Sequence, residues 1–157
     1  MNMGDVIVDT VLEYFAIQAL VFEFARRVDV DAAVDNELLF TEDGYFEYDG
    51  RGERGRAAIK AAYDRRRALG RRTARHVFTN LVVARGGDGI VRGSSIMMLF
   101  GADEPPPVNF AAPIVVADVA DEYAVVDGTY LFGRRTIHPV FVDSGRPARL
   151  PLAEPRS

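Results

Sequence analysis

Residues 75–83 read RHVFTNLVV. The segment has the apolar, β-branched and aromatic character of a strand, yet it holds one of the chain's two histidines together with a threonine and an asparagine. Side-chain alternation places His76, Phe78, Asn80 and Val82 on one face and Arg75, Val77, Thr79 and Leu81 on the other. Both faces are mainly apolar, which predicts an interior strand with His76 buried or lining a cavity. From the residues alone, His76 is either a structural histidine bonded to a backbone carbonyl or a general base. The second role requires a partner that holds the ring's tautomer and stabilises its charged form.

Working outward, strands are expected at 73–85, 90–101, 108–124 and 129–142. They are separated by Gly86-Gly87-Asp88-Gly89, the proline block 105–107 and Asp127-Gly128. Upstream, the apolar pattern has a helical period. A capping-box spacing at Thr10 and Glu13 predicts a largely buried first helix over 10–28, carrying Val11, Phe15, Leu20, Phe22 and Ala25 on more than one side. A short second helix is expected at 31–39, a brief strand at 44–49 (GYFEYD), a loop around Gly50, Gly52 and Gly55, and a third helix at 56–69 stopped by Gly70. Helices first and hairpin-connected strands afterwards predict an α+β fold with three N-terminal helices on one face of a curved antiparallel sheet. Residues 1–143 form the single expected domain, and 144–157 a loosely held Pro/Arg-rich extension.

The 157 residues, 48% hydrophobic and 27% charged, fit one soluble domain. Asp9, Glu13 and Glu23 interrupt the apolar N-terminal run, which also lacks the basic start and cleavage site of a signal peptide. A cytoplasmic protein with no membrane partner is therefore expected. The absence of cysteine excludes disulfides and thiolate chemistry. A formal net charge of −4 argues against a nucleic-acid partner.

The candidate partner for His76 lies in ARRVDVDAAVDNELLF, residues 25–40, where Asp29, Asp31 and Asp35 follow the first helix. These carboxylates are either caps and solvated charges or catalytic groups, and no spacing rule pairs Asp29 with His76. The arginines at 65–67, 71, 72 and 75 read as a solvated helix face or as a contact for a phosphate or coenzyme A tail. His138 has no ligand-spaced partner, so no metal is expected. No glycine-rich loop follows a strand, so no cofactor is expected.

Several local patterns occur together: Ala16-Ile17-Gln18-x-Leu20, Val28-Asp29, LLFTEDG at 38–44, HxxTNL from His76 to Leu81, and DGxYLF at 127–132. With this order of elements, residues 5–142 resemble the SnoaL-like group of the nuclear transport factor 2-like superfamily, a cone-shaped α+β fold. In pattern they are nearest to hexachlorocyclohexane dehydrochlorinase, scytalone dehydratase and bile acid 7α-dehydratase. The resemblance implies a cofactor-free lyase or isomerase in which an aspartate at the end of helix one orients a strand histidine that removes a substrate proton. Those roles fall on Asp29 and His76. A catalytic arginine falls on Arg135, with the neighbouring Arg134 one residue away in register and facing the other way.

The substrate expected is a largely apolar small molecule undergoing dehydration, dehydrohalogenation or a double-bond shift. Its contacts would be Phe24, Phe78, Asn80, Met97, Leu99 and Phe110. The family's other acid candidates are missing: Ala32 and Ala33 replace a second aspartate, the strand SSIMMLFG has no second histidine, and Phe24 and Leu99 occupy the approximate places of a tyrosine and an aspartate. The resemblance therefore also implies an alternative, a non-catalytic binding or accessory-subunit protein of the same fold. Assembly through the sheet into a homodimer is implied for either.

Overall fold

Apolar residues recur at Ile17, Leu20, Val21, Phe24 and Val28, the three- and four-residue steps of one helical face, and all five are buried. They form the inner side of α1 (Met3–Asp29), in a computed structural model that describes residues 3–146 together with 148 and 152, and side chains from Thr10 onward. Only one side of this helix is covered: Leu12, Phe15 and Phe22 are exposed, contrary to the expectation of a largely buried helix. Because α1 begins at Met3, Thr10 lies within it and the capping box has no helix start to close. Glu13 instead accepts hydrogen bonds from Arg85 and the Tyr130 hydroxyl.

No second α-helix follows. Ala32, Ala33 and Asp35 take left-handed φ values of 53°, 60° and 57°, which an α-helix of L-residues does not accommodate, and only a 3₁₀ turn forms at Asn36–Leu39. Arg67 donates to the carbonyls of Ala32 and Ala33 and holds this irregular turn. The fold has two α-helices among the described residues, not three. The second, α2 (Arg56–Ala68), buries Ile59, Ala62 and Tyr63.

The six strands are β1 (Phe40–Tyr48), β2 (Arg51–Arg54), β3 (Thr73–Arg85), β4 (Val91–Ala102), β5 (Val115–Val126) and β6 (Thr129–Val142). Their order across one curved sheet is β2-β1-β6-β5-β4-β3. The glycine-rich segment expected as a loop supplies β2, a short antiparallel partner of β1. β1 lies parallel to β6, so the sheet is mixed rather than purely antiparallel. β5 begins at Val115 and not near 108, because the segment rich in proline from 105 to 113 cannot donate a regular ladder. Asp127 and Gly128 both have positive φ, as a tight two-residue hairpin turn requires.

β3 is an edge strand, not an interior one. One of its faces is covered by α1, while Arg75, Val77 and Thr79 face outward. The alternation also breaks. The β3–β4 register shifts between Thr79 and Val82, and Asn80 adopts φ 55°. His76 and Phe78 point inward before this bulge and Leu81 and Val83 after it. Asn80 and Val82 (61% exposed) therefore leave the face they were expected to share with His76.

The core closes around Phe24, whose ring lies 5.9–6.3 Å from those of Phe40, Phe46, Phe78 and Phe132. Into this aromatic cluster β6 projects Arg135, with its guanidinium carbon 4.3 Å from the Phe24 centroid and 4.2 Å from that of Phe132. Arg135 and Asp121 have side chains 0% and 1% exposed. Two guanidinium nitrogens donate to the Asp121 carboxylate at 3.1 and 3.2 Å, and the Tyr123 hydroxyl donates to it at 3.0 Å. Burial pushes the Asp121 carboxyl up, against the pull of Arg135 and Tyr123. Of the expected C-terminal extension, Leu152 is buried and Ala148 packs on the core. Residues 147, 149–151 and 153–157 lie outside the described residues. Among the described residues no helix is long and apolar enough to cross a membrane.

Two stability measurements check this account. Asn80→Val is expected to destabilise the protein by about 1–2 kcal/mol in chemical denaturation, whereas Asn80→Gly is close to neutral, because only the β-branched residue resists the left-handed backbone. Asp121→Asn is expected to cost about 3–5 kcal/mol by leaving Arg135 buried without its counter-charge. Replacing both partners by apolar residues of similar size is expected to cost clearly less, and equal losses for the single and double changes would refute the pairing.

Candidate active site

α1 ends at Asp29, where the chain leaves helical geometry above the first residues of β3. Both carboxylate oxygens of Asp29 are committed to His76. One accepts the backbone N–H at 2.7 Å, and the other lies 2.6 Å from ring Nδ1. A carboxylate at that distance requires a proton on Nδ1, which leaves Nε2 with a free lone pair in the neutral ring. The pair is withdrawn from water, with side-chain exposure of 12% for His76 and 6% for Asp29.

His76 forms part of the wall of an internal chamber of about 50 Å³. Phe24, Met97 and Leu99 line it, together with Phe46 and Ile137. Its polar lining comes from Tyr48 on β1, Tyr63 and Arg66 on α2, and Arg72 just before β3. Burial pushes the hydroxyls of Tyr48 and Tyr63 up, so both are neutral donors at physiological pH. Ala148 closes part of the chamber from the C-terminal segment.

The other expected contacts lie elsewhere. Phe78 stands behind Phe24, ring against ring, and under the Arg135 guanidinium at 4.8 Å. Asn80 is carried outward by the bulge, where its side-chain oxygen accepts from the Thr79 hydroxyl. Phe110 is 95% exposed on the proline-rich segment, which never joins the sheet at that point. Arg135 points inward and Arg134 outward, against the Tyr45 ring and 3.7 Å from Glu47. Arg135 is nonetheless not a lining residue: it is held by Asp121 within the aromatic cluster. Among the described residues no group of three histidine, aspartate or glutamate side chains is arranged to hold a metal.

Tyr48, Tyr63, Arg66 and Arg72 were not singled out as chamber residues from the sequence, although periodic signals for them exist. Phe46 and Tyr48 alternate on one face of GYFEYD. Ile59, Ala62, Tyr63 and Arg66 share one face of α2, and Arg72, Ala74 and His76 are spaced by two. What hid them was polarity, which reads as surface until a chamber is known to exist.

The fold recurs in solved structures. A protein of unknown function from Mycobacterium tuberculosis is 24% identical with a TM-score of 0.73, covering 85% of this chain and 75% of its own. A candidate scytalone dehydratase from Novosphingobium aromaticivorans is 19% identical with a TM-score of 0.75, covering 94% and 97%. ActVI-ORFA from Streptomyces coelicolor is 19% identical with a TM-score of 0.70, covering 81% and 96%. At these identities the likeness concerns the fold alone. No curated protein matches the chain in sequence. The SnoaL-like domain family matches residues 9–136, a span that runs from within α1 past the dyad to β6, and the chain belongs to that family.

Proposed function

We propose that this protein is a cofactor-free lyase or isomerase in which His76 is the general base. The observation that carries the reading is the double use of Asp29: one oxygen fixes the position of residue 76 through its backbone, and the other fixes the ring's tautomer. A structural histidine needs only one such bond, and that bond usually goes to a backbone carbonyl. Here a carboxylate faces Nδ1, so the imidazolium formed on proton uptake at Nε2 is stabilised where it forms.

In an elimination, Nε2 takes a proton from a carbon acidified by an adjacent carbonyl. The C–H electron pair becomes the new double bond, and the leaving group departs with its own bonding pair. Tyr48 is the proposed proton donor to a leaving hydroxyl, which then leaves as water; its phenol is kept neutral by burial and shares the chamber with His76. In a double-bond shift the same imidazolium returns the proton to another carbon. The aromatic and aliphatic walls exclude water that would otherwise compete for the base.

The test uses β-hydroxy and β-halo ketones in D₂O, with NMR following both exchange of the acidic C–H and elimination. His76→Ala and Asp29→Asn are each expected to slow exchange by about 10²–10⁴-fold. Tyr48→Phe is expected to slow loss of hydroxide while leaving exchange and loss of halide nearly unchanged. Imidazole ¹⁵N spectra, simple with only His76 and His138 present, are expected to show the Nδ1–H tautomer for His76 in the native protein and its loss in Asp29→Asn. Exchange that proceeds equally in all variants would mean that the chamber binds without catalysing.

A further inference from the structure

A chamber of about 50 Å³ holds about four water-sized spheres, whereas sites that enclose a small molecule run to about 300–1,000 Å³. If His76 acts on a substrate, most of that molecule lies outside the chamber. A groove of about 570 Å³ adjoins it, and Val28, Arg66 and Arg72 border both spaces. Asp29 forms part of the groove wall while His76 faces the chamber, so a ligand lying across the two passes the dyad.

The groove's charge is opposite to that of the whole protein. The chain carries a formal −4, yet Arg66, Arg67, Arg71, Arg72 and Arg75 line this one depression. Among the described residues of its lining, the carboxylates facing them are Asp29 and Asp103. The Asp29 carboxylate is engaged twice by His76, and Asp103 lies 3.8 Å from Arg72 Nε at a half-exposed position. Arg67 is occupied by Asp64 and by the carbonyls of Ala32 and Ala33. Arg66, Arg71 and Arg75 have no carboxylate partner among the described residues.

The negative end of the α2 dipole accounts for arginines in the helix's last turn. It does not account for Arg71, Arg72 and Arg75, which follow the helix and converge on the same groove from the start of β3. Cations converging at the mouth of an apolar chamber repel one another unless an anion lies between them.

We infer that this groove binds an oxyanion, a carboxylate or phosphate carried on the tail of the substrate. The preferred substrate is then amphipathic: a compact apolar head reaches Nε2 of His76, and an anionic tail remains among Arg66, Arg71, Arg72 and Arg75. The inference rests on the proposed dyad chemistry for the head and on the groove alone for the tail. Charge at the mouth also speeds capture of such a substrate, with a rate that falls as salt rises.

Titration calorimetry of the full chain with three probes tests this: 1-naphthoate, its neutral amide 1-naphthamide, and coenzyme A, which carries phosphates. The naphthoate or coenzyme A is expected to bind about tenfold or more tighter than the amide at low ionic strength, with the preference shrinking as salt rises. Whichever anion leads identifies carboxylate or phosphate as the group read. The double change Arg71→Gln/Arg75→Gln, at exposed positions that leave the core untouched, is expected to remove most of the preference, and Arg66→Gln the remainder. Equal affinity for amide and anions, or a preference unchanged in these variants, overturns the inference. Carbon-acid exchange in the His76→Ala and Asp29→Asn proteins reads the dyad separately. Anion binding retained without exchange activity in the native protein would defeat the catalytic reading and leave the groove standing. Exchange retained without anion preference would do the reverse.

Discussion

One carboxylate, Asp29, with both oxygens spent on a single residue, joins the two halves of this fold. It ends the long helix and grips the edge strand at once through a backbone amide and a ring nitrogen. An edge strand has one ladder partner only, so β3 depends on contacts from outside the sheet to hold its position. Asp29 and, further along, Glu13 with Arg85 supply polar contacts, and the buried face of α1 supplies the apolar one. The same carboxylate fixes the tautomer and orientation of an imidazole that lines the chamber, so the contact that docks the helix also sets the geometry of His76.

Behind the dyad lies a second polar arrangement of a different kind. Arg135, Asp121 and Tyr123 form a hydrogen-bonded network inside a shell of phenylalanine rings. Removing two charges from water is costly, and it is tolerated here because each is matched and the guanidinium faces also rest on aromatic surfaces. Its place outside the chamber lining marks it as part of the scaffold. The polar groups that do reach the chamber come from several elements: Tyr48 from β1, Tyr63 and Arg66 from α2, and Arg72 from just before β3, which itself contributes His76.

Much of the strand content was legible because turn chemistry is local. Strands expected at 73–85 and 129–142 coincide with β3 and β6, and Asp127-Gly128 makes the hairpin that its residue types require. Register was not legible. A strict two-residue hairpin opposes Asp121 to Arg134, but a shift after Glu122 opposes Asp121 to Arg135 instead and turns Arg135 into the core. The bulge at Asn80 likewise reverses the inside and outside of β3 within one strand. Such shifts depend on what packs against the sheet, and no period in the residues announces them.

By itself, then, the sequence determined the α+β class and the hairpins, and, through its likeness to a known family, it singled out Asp29 and His76 as a candidate pair. Each of these rests on local periodicity or on short motifs, which fix the conformation of neighbouring residues. Only the tertiary structure decided that Asp29 and His76, 47 positions apart, share a bond, that β1 runs parallel to β6, and that the arginines on either side of Gly70 converge on one groove. Those outcomes depend on helices and strands being brought together to bury apolar area, and that burial is a property of the whole chain rather than of any segment in it.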